Sequence, residues 1–233
     1  MSETVISLLV TNDDTQLTLT YIKSSLTECS PYFAAMFGPH FVESKKSKVH
    51  IHCDYPSCLQ AILDFVIKKS EINWKLNNPF EMLHTSTYFQ IQEGNAACKL
   101  FIFNSWLTLH NCLKTMFTVH QYAIDDEVLN YVTTMCRRDF ERIIYTKQFL
   151  ELSYNQLESY LNLDNLIVND ELDVIIAISK WIEYDTTTRF PFLKALLKNV
   201  HFANLSIQEI ENILIHSYFV KKSTEAEILL KLI

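Results

Sequence analysis

Hydrophobic and polar residues alternate with a period of two near the start of the chain. Residues 5–10 are mostly apolar, and residues 16–22 alternate on the far side of the polar cluster Asn12-Asp13-Asp14. Two such runs joined by a short polar turn predict a β-hairpin. Residues 49–53 alternate in the same way, which predicts a third strand.

The period changes to a helical one around residue 31. Ser30 suits an N-cap, Pro31 suits the first helical turn, and the aromatic residues of 32–37 fall on one face. Gly38-Pro39 is expected to end this helix, because glycine tolerates a left-handed cap and proline cannot continue the turn. Residues 41–44 then follow on a short exposed turn.

Further helices are predicted before residue 110. They cover residues 23–28, 56–67 and 79–88, the last one capped by Asn78, and a fourth helix is marked by Cys98, Phe101, Ile102 and Leu109. Residues 72–74 are predicted to form a short edge segment. Strands followed by helices in this order predict an α+β fold.

After about residue 110 the pattern is helical throughout. No proline occurs between Pro79 and Pro191, which favours uninterrupted helices. Asn169 is a candidate cap for one helix and Pro191 is a candidate start for another. Two more helices are predicted near residues 206–215 and 224–233.

The Ser-Pro-Tyr-Phe helix followed by an acidic-Ser turn resembles the signature of the BTB (POZ) domain, and the second half resembles the BACK domain of kelch-type ubiquitin-ligase adaptors. The residues that match the BACK pattern are Asn-Cys-Leu at 111–113, Asp-Phe at 139–140, Phe-Leu-Glu-Leu at 149–152, Leu-Ile-Val-Asn-Asp-Glu at 166–171, Ala177, Trp181-Ile182, Arg189 and Val200-His201-Phe202. The resemblance implies an α+β BTB/POZ domain over residues 1–108 followed by an all-α BACK domain over 109–233. In the full-length family a kelch propeller would follow.

The resemblance also implies a partner. In similar proteins an apolar residue, any residue and a glutamate at this turn contact the N-terminal helices of cullin-3, which corresponds here to Phe41, Val42 and Glu43. Phe41 would fill an apolar pocket and Glu43 would accept charge-assisted hydrogen bonds. Phe89 lies where the family supplies a second aromatic contact. The alternative interpretation of Glu43 is an ordinary solvated charge.

A homodimer is the second assembly that the resemblance implies. Only four residues precede the first predicted strand, so the N-terminal helix that helps to seal the family's dimer is not expected. We therefore expect a weaker homodimer. Its predicted interface residues are Val5, Ile6, Leu8, Lys23 and Leu26.

Charge and composition exclude several classes of protein. The net charge is −7 and no basic cluster occurs, which argues against binding to nucleic acid. No apolar run reaches the ~20 residues of a membrane span, and no signal peptide is recognisable. We expect a protein of the cytoplasm with reduced cysteines, and of the host-cell cytoplasm if the chain is viral.

Candidate chemical sites are few. His50, His52, Cys53 and Cys58 make the best metal-like group, but His50 and His52 share one face of a strand while Cys53 points to the other. Cys112 follows His110 by two residues, and side chains at that spacing on a helix diverge. We therefore expect no cofactor, no metal and no enzymatic activity.

The resemblance implies a non-enzymatic adaptor that binds cullin-3 to recruit a ubiquitin ligase toward an unknown substrate protein. The 16 lysines against 4 arginines are a residue bias of A+T-rich genomes, and with the divergence from the family they suggest a poxvirus member. A dimerising scaffold or decoy that occupies a partner without ubiquitination is the alternative. A transcriptional repressor of the BTB type is less favoured, because no DNA-binding segment is present.

Overall fold

The structure is a computed structural model that describes residues 4–122, 126–164, 166–168, 171–201 and 208. It divides into two compact units. The first unit runs to Leu107 and includes Val119–Leu129, and the second comprises Thr108–Thr118 and residues from Asn130 onward. The domain boundary between residues 108 and 109 remains a prediction.

The first unit contains a three-stranded sheet of β1 (Val5–Thr11), β2 (Gln16–Ile22) and β3 (Lys48–His52), in the order β2-β1-β3. β1 runs antiparallel to β2 and parallel to β3. Asn12 closes the hairpin because its Oδ1 accepts hydrogen bonds from the amides of Asp14 and Thr15. The predicted hairpin and third strand are confirmed, whereas residues 72–74 do not form a strand.

Five helices lie entirely within the first unit among its described residues. They are α1 (Lys23–Cys29), α2 (Pro31–Met36), α3 (Pro56–Lys68), α4 (Pro79–Tyr88) and α5 (Gln92–Phe101), with 3-10 turns at Val42–Lys45 and Val119–Tyr122. Ser30 and Asn78 cap α2 and α4 as predicted. The helix predicted to include Leu109 is shorter, because α5 passes into a π-helical turn at Ile102–Trp106.

The two glycines of the sequence serve in a helix-ending turn and in helix packing. Gly38 does not adopt the left-handed conformation, and α2 ends instead with a turn in which the Gly38 amide donates to the Ala35 carbonyl at 2.9 Å. Left-handed backbone occurs at Lys69 and Gln90, which follow α3 and α4. Gly94 matters for packing: a Cβ there would lie 2.6 Å from Cγ2 of Ile62, so glycine lets α5 approach α3 closely.

The second unit is built from helices and turns, as predicted. The helices are α6 (Cys112–Thr118), α7 (Asp126–Arg138, which begins in the first unit), α8 (Phe140–Ile143), α9 (Lys147–Leu150), α10 (Tyr154–Leu161), α11 (Glu171–Tyr184), α12 (Thr186–Arg189) and α13 (Leu193–Leu196). Pro191 lies in a 3-10 turn, Phe190–Phe192, just before α13. The cap predicted at Asn169 and the helices predicted after residue 205 lie outside the described residues, apart from residue 208.

Trp181 and Arg189 stabilise the core of the second unit. The Trp181 ring is buried, and its Nε1 donates to the Leu152 carbonyl at 2.7 Å. The Arg189 guanidinium stacks over that ring at 4.3 Å and donates to the carbonyls of Leu150 and Trp181. Buried polar groups that are paired in this way avoid a desolvation penalty.

No helix in the part of the chain that the structure describes combines the length and the apolar character needed to cross a membrane.

Candidate partner-binding surface

The turn between α2 and β3 exposes two apolar side chains. Phe41 has extended backbone and is 54% exposed, and Val42, which begins the 3-10 turn, is 69% exposed. Ser44 closes the turn, since its amide and its hydroxyl both donate to the Phe41 carbonyl. The turn thus presents an aromatic and an aliphatic side chain to solvent from a backbone held by its own hydrogen bonds.

Glu43 supplies a carboxylate on the same turn. A hydrogen bond from its own backbone amide and a second one from Lys46, at 3.2 Å, hold the pKa of this carboxyl below its usual value. The carboxyl is therefore ionised at neutral pH. It forms an ion pair with Lys46 at the surface, in which the Lys46 side chain is 51% exposed and the Glu43 side chain 25%, and surface pairs contribute little to stability.

Lys23 anchors the turn to the rest of the first unit. Its Nζ donates to the Ser44 carbonyl at 2.8 Å and lies 5.1 Å from the centre of the Phe37 ring. Lys23 was predicted in a dimer interface, and in the structure it is half-buried in these two contacts.

Phe89 does not present its ring to a partner, so this prediction is corrected. The side chain is 1% exposed, stacks on Phe33 and meets Tyr32 edge to face, while the Phe89 carbonyl accepts a hydrogen bond from the Ser30 hydroxyl at 2.6 Å. Its neighbour Tyr88 is 57% exposed instead. The helical spacing from Met82 through Ser86 to Phe89 places all three on one face, and this signal could have identified Phe89 as a core residue.

Three of the five predicted dimer-interface residues are also corrected. Ile6, Leu8 and Leu26 are fully buried inside the first unit. Alternate residues of a strand point to opposite faces, so the side chains of Ile6 and Leu8 are both directed into the core. Val5 is 53% exposed and stays available.

The structure does not arrange His50, His52, Cys53 and Cys58, the metal-like group of the sequence, as a metal site. Among the described residues, no set of three or more His, Cys, Asp or Glu side chains is arranged to hold a metal ion. His50 Nε2 is hydrogen-bonded to Thr11 Oγ1 at 2.7 Å. Burial raises the pKa of the Cys53 and Cys58 thiols to about 11 and about 12, which makes both weak nucleophiles at neutral pH.

Comparison with known proteins agrees with the two-part architecture. The family model for the BTB/POZ domain matches residues 6–105, and the model described as "BACK: BTB And C-terminal Kelch" matches residues 112–214. The predicted fold class is thereby confirmed.

Curated relatives include Kelch-like protein 28 of Mus musculus, which is 29% identical over 186 residues, or 80% of this chain and 32% of the relative. Kelch-like protein 2 of Rattus norvegicus is 29% identical over 175 residues, or 75% of this chain and 29% of the relative. The chain therefore spans about a third of the length of these relatives.

Proposed function

We propose that this chain, a BTB/POZ domain followed by a BACK domain, is a non-enzymatic adaptor that binds the N-terminal helices of cullin-3 and recruits a ubiquitin ligase toward a substrate protein. The observation that carries the proposal is the turn at Phe41, Val42 and Glu43, which exposes two apolar side chains beside an ionised carboxylate. We infer the partner from the similarity to kelch-like proteins.

The turn has the physical properties of a small binding site. Burying the exposed part of Phe41 in a partner pocket would remove apolar surface from water, at about 25 cal/mol per Å². Glu43 can exchange Lys46 for a donor on the partner at little cost, because the Lys46 side chain is half exposed and surface ion pairs are weak. An aromatic anchor next to a charge that becomes desolvated on binding is a common hot-spot arrangement.

The test is calorimetric titration of the chain with the N-terminal region of cullin-3. We expect Phe41→Ala and Glu43→Lys each to weaken binding at least tenfold, about 1.4 kcal/mol, while the fold is unchanged. Leu76→Ala is a matched control, since Leu76 is even more exposed but lies outside the turn. Unchanged affinity in both turn variants would refute the site, and a wild-type chain that does not bind cullin-3 would favour the dimerising scaffold or decoy.

We also propose a homodimer in which Val5 contributes to the interface. We expect this dimer to be weak, because Ile6, Leu8 and Leu26 are buried within the chain and leave less apolar surface for self-association. Light scattering over a dilution series should show dissociation as the concentration falls. A chain that is monomeric at high micromolar concentration would contradict the proposal.

The viral part of the proposal is that the chain redirects ubiquitination in a host cell. Its support is the excess of lysine over arginine in the sequence. In mammalian cells that express the chain, quantitative proteomics should find proteins whose ubiquitination requires both cullin-3 and an intact Glu43. A ubiquitinated proteome that is identical with wild-type chain and with Glu43→Lys would argue against redirection.

A further inference from the structure

The turn at Phe41, Val42 and Glu43 is not held in place by burial of its own side chains. None of the four residues of the 3-10 turn Val42–Lys45 is buried, and Phe41 is 54% exposed. Hydrogen bonds must therefore fix its conformation. A turn that becomes ordered only on binding loses affinity through the entropy cost of that ordering, so contacts that order it in the free chain favour binding.

Ser44 connects this turn to the rest of the first unit. Its amide donates to the Phe41 carbonyl at 3.2 Å, and its hydroxyl donates to the same oxygen at 2.7 Å. The Ser44 carbonyl in turn accepts a hydrogen bond from Lys23 Nζ at 2.8 Å. A displacement of Ser44 would therefore move Phe41 as well.

The backbone of Lys23 is itself tied to the hairpin. Lys23 is the first residue of α1 and directly follows β2. Its amide donates to the carbonyl of Thr4, just before β1, at 2.8 Å. The Lys23 side chain thus reaches the turn from a backbone position that is connected to both strands.

The ammonium group of Lys23 lies against the aromatic core. Its Nζ is 5.1 Å from the centre of the Phe37 ring, which is buried and stacks on the fully buried Phe33. A cation is attracted to the face of an aromatic ring, and an ionised donor makes a stronger hydrogen bond than a neutral one. Lys23 therefore links the Ser44 carbonyl to a part of the structure that is fixed by packing.

We propose that Lys23 is a positioning residue, which orders the Phe41–Glu43 turn before a partner binds. Lys23 is half-buried in its two contacts, so it acts on the partner through Ser44 and the turn. Its importance for cullin-3 rests on the proposed function, whereas the order of the turn in the free chain does not.

The order of the turn can be measured without a partner by NMR relaxation of backbone amides. In the wild-type chain we expect order parameters of about 0.85 at residues 41–46, and in Lys23→Met values below about 0.6 there, with the hairpin unchanged. Lys23→Arg should keep the turn rigid, because it restores a cation that can donate to the Ser44 carbonyl and stack on Phe37. Lys48→Met is the matched control, since it removes the same charge from an exposed lysine close to the turn.

Two results of this measurement would overturn the assignment. Equal order of the turn in Lys23→Met and Lys48→Met would show that Lys23 does not hold it, and a turn as mobile in Lys23→Arg as in Lys23→Met would show that the cation does not. Loss of order throughout the hairpin and α1 would also refute it, because Lys23 would then support the whole unit and not the turn.

Calorimetry with the N-terminal region of cullin-3 tests the consequence for binding. We expect Lys23→Met to weaken binding at least fivefold, and Lys23→Arg and Lys48→Met to stay within twofold of wild type. In a Phe41→Ala background, Lys23→Met should cost at most twofold, because the anchor that it positions is gone. The same factor in both backgrounds would contradict a role through the turn.

Failure of this proposal and failure of the proposed function give different results. If Phe41→Ala weakens binding and Lys23→Met does not, the proposed function stands and the positioning role is wrong. If the wild-type chain does not bind cullin-3 at all, the proposed function fails, while the relaxation measurement still decides whether Lys23 orders the turn.

Discussion

Replacing Ser30 by alanine should destabilise the first unit by about 2–4 kcal/mol. The Ser30 hydroxyl is fully buried, accepts a hydrogen bond from the Phe33 amide at 3.2 Å and donates one to the Phe89 carbonyl at 2.6 Å. Loss of the helix cap alone costs about 1 kcal/mol. A buried carbonyl left without its donor costs about 1–3 kcal/mol more, and the two contributions give the expected range.

Ser153 offers a matched comparison in the second unit. It caps α10 in a capping box but is exposed, so Ser153→Ala should cost only about 1 kcal/mol. Amide hydrogen exchange read by mass spectrometry reports each unit separately, which avoids fitting one transition to a chain with two units.

In Ser30→Ala, the slowest-exchanging amides of the first unit should exchange roughly 30-fold to 700-fold faster, which corresponds to 2–4 kcal/mol at tenfold per 1.4 kcal/mol. An effect of Ser30→Ala no larger than that of Ser153→Ala would refute the role given to the Phe89 carbonyl.

Two further outcomes concern the interior of the chain. Trp181→Ala should lower the stability of the second unit by about 3–5 kcal/mol, measured by amide hydrogen exchange within that unit, because Trp181 is buried. Tyr145→Ala, at an exposed ring, should change stability by less than about 0.5 kcal/mol, and equal effects would contradict the packing argument. Burial raises the pKa of the half-buried Cys29 thiol to about 11, so its thiolate is scarce at pH 8 and its labelling rate should rise about tenfold per pH unit up to that value. Cys29→Ser should abolish labelling of the native chain, and rapid modification of several cysteines at pH 8 would contradict the burial of the other five.

Features that depend on local chemistry could be predicted from the sequence. Ser30 and Asn78 each place a side-chain oxygen next to an unpaired amide at the start of a helix, and the residue type alone indicates this. The hairpin could also be predicted from the sequence, because Asn12 closes its turn and apolar and polar residues alternate along its strands. The exposed turn at residues 41–44 followed from the resemblance and from the end of the preceding helix.

The predictions of interface residues were wrong mainly about the direction in which a side chain points. The resemblance located Phe89 and Leu26 along the chain, but burial depends on what packs against them, and α2 and α4 enclose the Phe89 ring with aromatic side chains. Gly38 shows the same limit for the backbone, since a turn onto the Ala35 carbonyl ends the helix without a left-handed residue.

The contact between Asp54 and His84 could not be predicted, for a different reason. Asp54 and His84 belong to separate elements and are 3.4 Å apart only because α4 packs beside the end of β3. No local pattern relates an aspartate after a strand to a histidine in the middle of a distant helix. Such a pair becomes visible only once the fold is known.

The parallel pairing of β1 with β3 has a consequence for the order of folding. β1 and β2 are adjacent in sequence and joined by a short turn. β3 also pairs with β1, but β2, α1, α2 and the Phe41–Glu43 turn lie between β1 and β3 in the sequence. Closing a long loop is slower than closing a hairpin, so we expect β3 to dock late. The turn lies just before β3 in the sequence. Its C-terminal end is held in place only when β3 pairs with β1, for example at Leu8 opposite Val49. Detachment of this edge strand would release the Phe41–Glu43 turn while the hairpin persists, so a partner that binds the turn, as we propose, should slow amide exchange along β3.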